Sequence, residues 1–406
     1  MNDFTAIASS PRRIRQSNAI AALEVLYRAG AMSRAELARK MGLNRSSSGN
    51  IVAELTAGGL VREVAEDKAR RAVPLRAGRP GILLELEPDA AFFLGAEIGV
   101  EHVATTVIDL AADVRKSTVE PFDGRSVAVG EAVARAVDQV FRDLPEEMRS
   151  RCEGLGFSAP AQMDREGRVL TAPLLGWRDV DLAAIARTVL PVDMPVMVEN
   201  DANAFAIGEV HSRPGSRRGV TLFLVVESGV GGGIVIDGRL FRGGHGLAGE
   251  IGHMLVGEGE DRELEQIIGL ERLMRDWRGV ARGPHSTLDD FLGEVRDREP
   301  EAVAIADAWA RHLAHALVQA CRLIDPNRIV LGGSVAALFP LVAARVAAYV
   351  RDFQAPTFPI PEIVRHEGAT SGSAFGAACM MHQRFMSLDD QRFTDESRGV
   401  DAGAAS

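Results

Sequence analysis

Four polar side chains in the middle of the chain have types and spacings suited to binding a hydroxyl-rich ligand. Asn200 and Asp201 follow the apolar run P-V-M-V, which places them at the carboxyl end of a predicted strand, where open α/β sheets bind ligands. A carboxylate there accepts a proton from a hydroxyl group or hydrogen-bonds to it. Glu250 and His253 are three residues apart and share one face if their segment is helical. Together the four residues predict a sugar site.

Four glycines lie between these two pairs. Gly229, Gly231, Gly232 and Gly233 follow the apolar strand T-L-F-L-V-V and precede I-V-I, so they predict a turn at which a ligand meets bare backbone N–H groups. Each feature has a plainer explanation alone, because many glycine-rich hairpins bind nothing and an Asn-Asp pair often forms a turn or caps a helix. Their occurrence in one short segment favours the ligand site.

The segments V-E-N-D-A-N-A-F-A-I-G-E, E-S-G-V-G-G-G-I-V-I-D-G and G-L-A-G-E-I-G-H-M resemble the ROK family, which groups bacterial sugar kinases with sugar-responsive transcriptional repressors of the xylose and N-acetylglucosamine type. The resemblance runs from near Arg12 to about Met381. It implies that Asp201 stands at the position of the kinase catalytic base. The residues that it implies as sugar contacts are Asn200, Asp201, Glu250, His253 and Glu265, the last in L-E-Q-I-I.

Composition indicates a globular protein with a basic head and an acidic body. The 406 residues, 46% of them hydrophobic, suffice for two or three cores. Residues 1–80 carry 14 Lys/Arg against 7 Asp/Glu, although the whole chain has a formal net charge of −10, so a polyanion is the expected partner of the head only. Three cysteines without paired spacing favour a reducing compartment. With no signal-peptide core and no apolar run of membrane-spanning length, we expect a cytoplasmic protein without a membrane partner.

The basic head reads as a winged helix-turn-helix. Helical spacing begins at Arg12 and ends at Gly30, Ser33 and Glu36 form a capping box for a second helix, and Asn44 caps a third. The inward face of the third helix is predicted to be Ser48, Ile51, Val52 and Leu55. Strands at residues 60–64 and 82–86 flank a basic loop, which completes the wing. A small packing domain with a solvated basic loop is the alternative, and the combined pattern favours DNA binding.

The candidate DNA contacts lie on the third helix and in the wing. Arginine and asparagine make bidentate contacts to guanine and adenine, and serines suit phosphate oxygens. The serine-rich start of this helix has low helix propensity. The head is similar to that of ROK repressors in S-R-A-E-L-A-R-K-M-G-L and A-G-R-P, which implies that Arg79 reaches the minor groove. The candidates are Arg45, Ser46, Ser47, Gly49 and Asn50 in the helix and Arg70, Arg71 and Arg79 in the wing.

The body is predicted to have an α/β fold of two lobes, resembling actin-like ATPases and ROK sugar kinases. Strands in hairpins come first and then alternate with helices, and a final helix near residues 374–384 is expected to pack on the first lobe. The predicted divisions are a DNA-binding domain with leader and linker over 1–87, a first lobe over 88–202 and 371–386, a second lobe over 203–370, and a frayed tail over 387–406.

Departures from the kinase pattern bear on cofactors. Two segments of this chain match the phosphate loops of ROK kinases, and they carry carboxylates at Glu101 and Glu227. These carboxylates would face the charge of a triphosphate without compensation. The family's zinc site uses His253 and three cysteines, and the segment from His253 to Glu265 contains no cysteine. We therefore expect no ATP, no metal and no other cofactor. The acidic residues of this segment, Glu258, Glu260, Asp261 and Glu263, are expected to be solvated, with binding of a hard cation as the alternative.

These features together predict a sugar-responsive DNA-binding regulator, expected to be a repressor, whose degenerate kinase-like domain is the sensor. Its partners would be double-stranded operator DNA, a monosaccharide effector and further copies of the chain as a dimer or tetramer, because one short recognition helix reads few base pairs. An active sugar kinase with a DNA-binding head remains an alternative because Asp201 is retained. A third reading has a sugar phosphate, another polyol or no effector, with Arg239 or Arg242 turned inward for a phosphate.

Overall fold

The structure, a computed structural model, describes residues 11–65, 82–212, 218–256, 263–279, 286–366 and 371–387, with side chains from Gln16 onward. The predicted wing residues Arg70, Arg71 and Arg79 lie outside the described residues. The same holds for the predicted leader up to residue 10 and for the predicted tail after Ser387.

The N-terminal segment folds as three helices and a two-stranded antiparallel sheet. Its elements are α1 (Pro11–Ala29), α2 (Arg34–Met41), α3 (Arg45–Ala57), β1 (Val61–Ala65) and β2 (Ile82–Leu86). The Glu36 carboxylate accepts from the Ser33 N–H at 2.9 Å, which completes the predicted capping box, and Gly42 ends α2 with a φ of 66°. The Asn44 side chain accepts from the Ser47 N–H at 2.9 Å, so a cap offsets the low helix propensity of the serines in α3.

The head and the body share one hydrophobic cluster. The four residues predicted to face inward on α3 are buried, and Ile51, Val52 and Leu55 belong to this cluster. It continues through Phe93 and Ile108 of the body, so the head is docked on the body through apolar contacts.

The first sheet of the body has five strands in the order β10-β6-β3-β4-β5. β3, β4 and β5 are antiparallel neighbours, whereas β6 and β10 run parallel to β3. A small antiparallel sheet of β7, β8 and β9 follows β6 along the chain. The elements are β3 (Phe92–Ile98), β4 (His102–Asp109), β5 (Val114–Pro121), α4 (Val129–Phe141), α5 (Glu146–Arg149), β6 (Cys152–Ala159), β7 (Gln162–Met163), β8 (Val169–Ala172), β9 (Trp177–Val180), α6 (Leu182–Val189) and β10 (Val196–Asn200).

The second sheet also has five strands, in the order β13-β12-β11-β14-β15. Its core includes the buried side chains of Trp277, Phe291 and Trp309. The elements are β11 (Val220–Val226), β12 (Val230–Ile236), β13 (Arg239–Leu240), α8 (Leu264–Ile268), α9 (Leu270–Arg278), α10 (Leu288–Arg296), α11 (Pro300–Ile324), β14 (Arg328–Gly332), α12 (Phe339–Phe353) and β15 (Glu362–Arg365).

The predicted glycine turn is shorter than expected. Only residues 227–229 connect β11 to β12, and Gly231, Gly232 and Gly233 lie inside β12. A Cβ on Gly232 would lie 2.4 Å from the Gly249 carbonyl oxygen, so the absence of a side chain allows the segment after β13 to approach the backbone of β12. The prediction that these glycines meet a ligand is therefore wrong for Gly232 and Gly233, which face Gly249 and Ala206, whereas Gly229 and Gly231 line a cavity between the two sheets.

Two helices lie between the sheets. α7 (Asp201–Ser212) and α13 (Gly372–Phe385) pack against each other, and α13 also packs on the first sheet. A Cβ on Gly95 would lie 2.0 Å from the Ala374 carbonyl oxygen, and one on Gly156 would lie 2.1 Å from that of Ala377. The strands and α13 are therefore in direct backbone contact.

One stretch of the chain is longer and more apolar than predicted. Residues Ser334–Phe353, which end in α12, have a mean hydropathy of 1.4, enough by length and composition to cross a membrane. The expectation of no such run is wrong, because the segment is apolar enough on average although it carries Arg345 and Arg351. Val342, Val346 and Val350 of this helix are buried in the core around the second sheet, where it packs on α11.

Candidate effector-binding site

A cavity of about 120 Å³ lies between the two sheets. An ordered water requires about 10–15 Å³ of such space, so the cavity has room for roughly ten waters, which is comparable to the size of one monosaccharide. The structure brings all five predicted sugar-contact residues into its wall. They are Asn200, Asp201, Glu250, His253 and Glu265.

Asn200 and Asp201 stand where β10 ends and α7 begins. The Asn200 amide nitrogen donates to the Ala161 carbonyl oxygen at 3.1 Å, and its amide oxygen accepts from the Asn203 N–H at 3.1 Å. Asp201 accepts one hydrogen bond from the Ala202 N–H at 2.8 Å. Both side chains are thus held by backbone groups, as expected for residues that cap a helix and face a cavity.

The Asp201 carboxyl group is buried beside other carboxylates. Burial raises its pKa to about 7, and the charges of Glu97, Glu250 and Glu227 act in the same direction against the opposing Ala202 hydrogen bond. Both protonation states are accessible near neutral pH, so the group can accept a hydrogen bond from a ligand hydroxyl or donate one to it.

Glu250 directly precedes a single 3₁₀ turn, Ile251–His253, and His253 is its last residue. His253 Nε2 lies 3.7 Å from a Glu250 carboxylate oxygen, and His253 Nδ1 lies 3.0 Å from Glu263 and 4.0 Å from Glu265. Burial opposes protonation of His253, but the hydrogen bond to Glu263 and the charges of Glu265, Glu263 and Glu250 outweigh it and raise its pKa. Burial is the main cause of the raised pKa of Glu250.

The same side chains form a group of potential metal ligands. One ligand atom from each of His253, Glu263 and Glu265 lies within 4.8 Å of the others, a spacing that could hold a cation. The acidic residues 258, 260 and 261, considered above as alternative ligands, lie outside the described residues.

Three further residues in the cavity wall were not predicted as ligand contacts. Gln162 donates to Glu250 at 3.4 Å, and Glu97 lies 3.6 Å from His102 Nε2. Burial opposes protonation of His102, but Glu97, Glu227 and Glu101 raise its pKa. Gln162 follows the end of β6, so its position at a strand's carboxyl end was the available signal.

The predicted phosphate loops lie at one side of the cavity and are occupied by internal contacts. The Glu227 carboxylate accepts from the Ser334 N–H at 2.6 Å and from its hydroxyl at 2.5 Å. The Ser228 hydroxyl donates to Glu101 at 3.1 Å, which links the two sheets. Burial raises the pKa of Glu227, although both Ser334 hydrogen bonds oppose the shift.

One of the two arginines considered for the alternative of a phosphorylated ligand is engaged elsewhere. Arg242 forms an ion pair with Glu199, a buried residue of β10. Neither Arg242 nor Arg239 lines the cavity.

The predicted contact residues of α3 lie at the surface of the head. Arg45, Ser46 and Asn50 are exposed, and Ser47 and Gly49 are partly exposed. α3 follows α2 after a short turn, which is the position of the recognition helix in a winged helix. In such proteins the exposed surface of this helix faces the major groove.

Comparison with known proteins gives two family matches. The ROK family pattern matches residues 93–384, and the MarR family pattern matches residues 16–72. The chain is also similar to the xylose repressor of Caldicellulosiruptor bescii, with 27% identity over 255 residues. That match covers 61% of each protein, so the chain spans about three fifths of the length of this relative.

Two solved structures resemble the fold. A ROK family transcriptional regulator, a homolog of the E. coli MLC protein, has a TM-score of 0.73 and 21% identity, and the match covers 91% of this chain and 96% of that one. A ROK family glucokinase from Streptomyces griseus, in complex with glucose and AMPPNP, has a TM-score of 0.64 and 25% identity and covers 72% of this chain and 100% of that one.

Proposed function

The chain belongs to the ROK family, and we propose that it is a sugar-responsive transcriptional repressor that binds operator DNA through its winged helix. The observation that carries this proposal is the joint presence of a monosaccharide-sized cavity, walled by Asp201, Glu250 and His253, and a winged-helix head docked on the same body. Similarity to a xylose repressor and to a MarR-type head supports it.

The proposed effector is a neutral monosaccharide. Carboxylates and two amides dominate the polar part of the cavity wall; both kinds of group hydrogen-bond hydroxyl groups, and the carboxylates repel a phosphate. The engagement of Arg242 with Glu199 supports a ligand without phosphate.

We further propose that the chain works without ATP or a resident metal. Glu227 already uses the Ser334 N–H and hydroxyl, which would otherwise be available to a phosphate, and it places a negative charge there. Glu101 adds a second carboxylate at the same place. A nucleotide triphosphate would therefore meet like charge in a partly desolvated site.

The proposed assembly is a cytoplasmic dimer or tetramer. One α3 helix contacts few base pairs, so two heads on paired half-sites supply the specificity that an operator requires. The candidate contacts are the surface residues of α3, together with the predicted wing arginines outside the described residues.

A sugar kinase is the second candidate, and two observations favour it. Asp201 has a pKa of about 7, which suits a general base at neutral pH. A second cavity, of about 1160 Å³, adjoins the first and is lined in part by Arg275, Arg278 and Arg365. ATP consumption that depends on sugar and on Asp201 would establish this activity in place of the sensor role.

The test uses fluorescence anisotropy with labelled DNA from upstream of the protein's own gene, against excess random DNA. D-xylose and D-glucose are the first probes, because these sugars occur in the names of the related repressor and the related complex. We expect one probe to change DNA affinity by about 5- to 150-fold. Asp201→Ala should retain DNA binding and lose this response, whereas Asp193→Ala, an exposed control, should keep both. DNA binding without any preference over random DNA would contradict the regulator role.

A further inference from the structure

Helix α7 connects the cavity to the DNA-binding head. Its first residue, Asp201, lies in the cavity wall, and His211 lies near its other end. At 1.5 Å per residue the two positions are about 15 Å apart along the helix axis. Both side chains are buried.

α7 packs closely against neighbouring elements on two sides. A Cβ on Gly376 of α13 would lie 1.7 Å from the Ala204 carbonyl oxygen, and one on Gly233 of β12 would lie 2.9 Å from the Ala206 side chain. The helix is therefore in van der Waals contact with α13 on one side and with the second sheet on another. In such close packing, a displacement at one end moves the whole helix instead of being absorbed.

The far end of α7 supports Tyr27 of the head. The Tyr27 hydroxyl donates to the His211 carbonyl oxygen at 2.9 Å. Its ring stacks on the His211 ring with centroids 4.9 Å apart and lies equally close to the ring of His382 in α13. The head thus rests on two buried histidines, one from each helix between the sheets.

The two histidines form one directed chain of hydrogen bonds. His382 Nε2 donates to the Leu110 carbonyl oxygen at 2.9 Å, so His382 Nδ1 accepts from His211 Nε2 at 3.0 Å. Gln383 then donates to His211 Nδ1 at 3.4 Å. Burial lowers the pKa of His382 to about 4, so its ring is neutral at neutral pH, as the series of hydrogen bonds requires. The arrangement fixes both rings beneath Tyr27.

We infer that α7 couples the effector site to the head, and that Tyr27 on the His211–His382 pair is the contact through which the head responds. The identity of the signal as a sugar rests on the proposed function, whereas the mechanical coupling does not. A cavity of about 470 Å³ beside this contact, lined in part by Glu24, Arg28 and Leu240, gives the head room to shift. Tyr27 is a positioning residue, since it lies in α1 and does not line the effector cavity.

The experiment measures hydrogen–deuterium exchange in the full chain at pH 8, where Asp201→Asn neutralises the buried carboxylate at the cavity end of α7. We expect this change to alter exchange rates in residues 17–29 of α1 at least threefold. The effect should disappear in the Tyr27→Phe background, which lacks the hydroxyl that bonds α7. The matched control is Tyr349→Phe, because Tyr349 is the only other tyrosine and bonds Asp307 on α11.

The outcomes separate coupling from general stability and from the sensor role. The inference would be overturned if Asp201→Asn changed exchange in α1 equally in the Tyr27→Phe and Tyr349→Phe backgrounds. Such a result would indicate a global stability effect, which does not depend on Tyr27. No change in α1 in the native background would overturn it as well. In a parallel DNA titration with D-xylose and D-glucose, absence of any sugar response would count against the proposed function alone, while the exchange result would still decide the coupling.

Discussion

Replacing Asp201 with Asn is expected to raise thermal stability at pH 8 and to raise it by less than half as much at pH 5, where only about 1.6 kcal/mol of the effect has developed. Asp201 is 9% exposed, and its folded-state pKa is raised from 3.8 to about 7, first by burial and then by Glu97. Between these two values the folded protein binds a proton that the unfolded chain has lost. Stability therefore falls as the pH rises through this window, and it is level above the folded-state pKa.

The size of the effect follows from the shift. A difference of about three pKa units corresponds to roughly 4 kcal/mol at 1.36 kcal/mol per unit. Asparagine has nearly the same shape and retains an oxygen to accept from the Ala202 N–H, so the substitution removes the charge and keeps the bond. At about 2 °C per kcal/mol for a domain of this size, the expected gain at pH 8 is roughly 4–8 °C, the lower value allowing for relaxation of the neighbouring carboxylates.

The assay is thermal unfolding followed by circular dichroism at pH 5, 6, 7 and 8 for the native chain, Asp201→Asn and Asp193→Asn. Asp193 is an exposed residue just before β10, so its substitution should shift the midpoint little at any pH. The quantity of interest is the midpoint difference between Asp201→Asn and the native chain. A difference of the same size at pH 5 and pH 8 would refute the raised pKa and the argument built on it.

Three further predictions concern packing, the phosphate loop and DNA contact. Gly376→Ala places a Cβ 1.7 Å from a backbone oxygen of α7 and should destabilise the protein by about 3 kcal/mol or more. Gly130→Ala, with open space around the new Cβ, should be nearly neutral in the same thermal melts. Equal effects of the two substitutions would contradict the packing of α13 on α7. Ser334→Ala removes one donor from Glu227 and should lower stability at pH 8 by about 1.5–3 kcal/mol, and an unchanged midpoint would show that the bond is dispensable. Arg45→Ala should weaken operator binding by roughly 1–3 kcal/mol and leave random-DNA binding within about twofold, as anisotropy would measure; equal losses on both DNAs would indicate a phosphate contact.

Features that depend on neighbouring residues were predictable from the sequence. The Ser33–Glu36 capping box, the turn at Gly42 and the buried face of α3 were predicted correctly, since each is set by residues within one or two helical turns. The placement of Asp201 beyond an apolar strand was also predicted, because the carboxyl end of a strand is fixed locally. The family resemblance supplied the two-lobed α/β fold.

Features that join distant parts of the chain were not predictable. Ser334 bonds Glu227 across 107 positions, and no local pattern marks the pair. Gly231 was assigned to a turn, but it lies in β12. A glycine stands there because α7 packs so closely that a Cβ on Gly231 would lie 2.8 Å from the Ala202 side chain. Tyr27 reads as an ordinary apolar position of a helix until the fold brings α7 beneath it.

Helix α13 has a consequence for the order in which the protein becomes competent during synthesis. It lies about 270 residues after β3, yet it fills the groove above Gly95 and carries the His382 ring on which Tyr27 rests. A nascent chain on the ribosome therefore exposes this groove, and the head lacks half of its support, until α13 has emerged. A product of premature termination before Gly372 would retain every candidate DNA contact of α3 and lose the platform beneath the head. The fold thereby makes the docked head depend on translation through the end of α13.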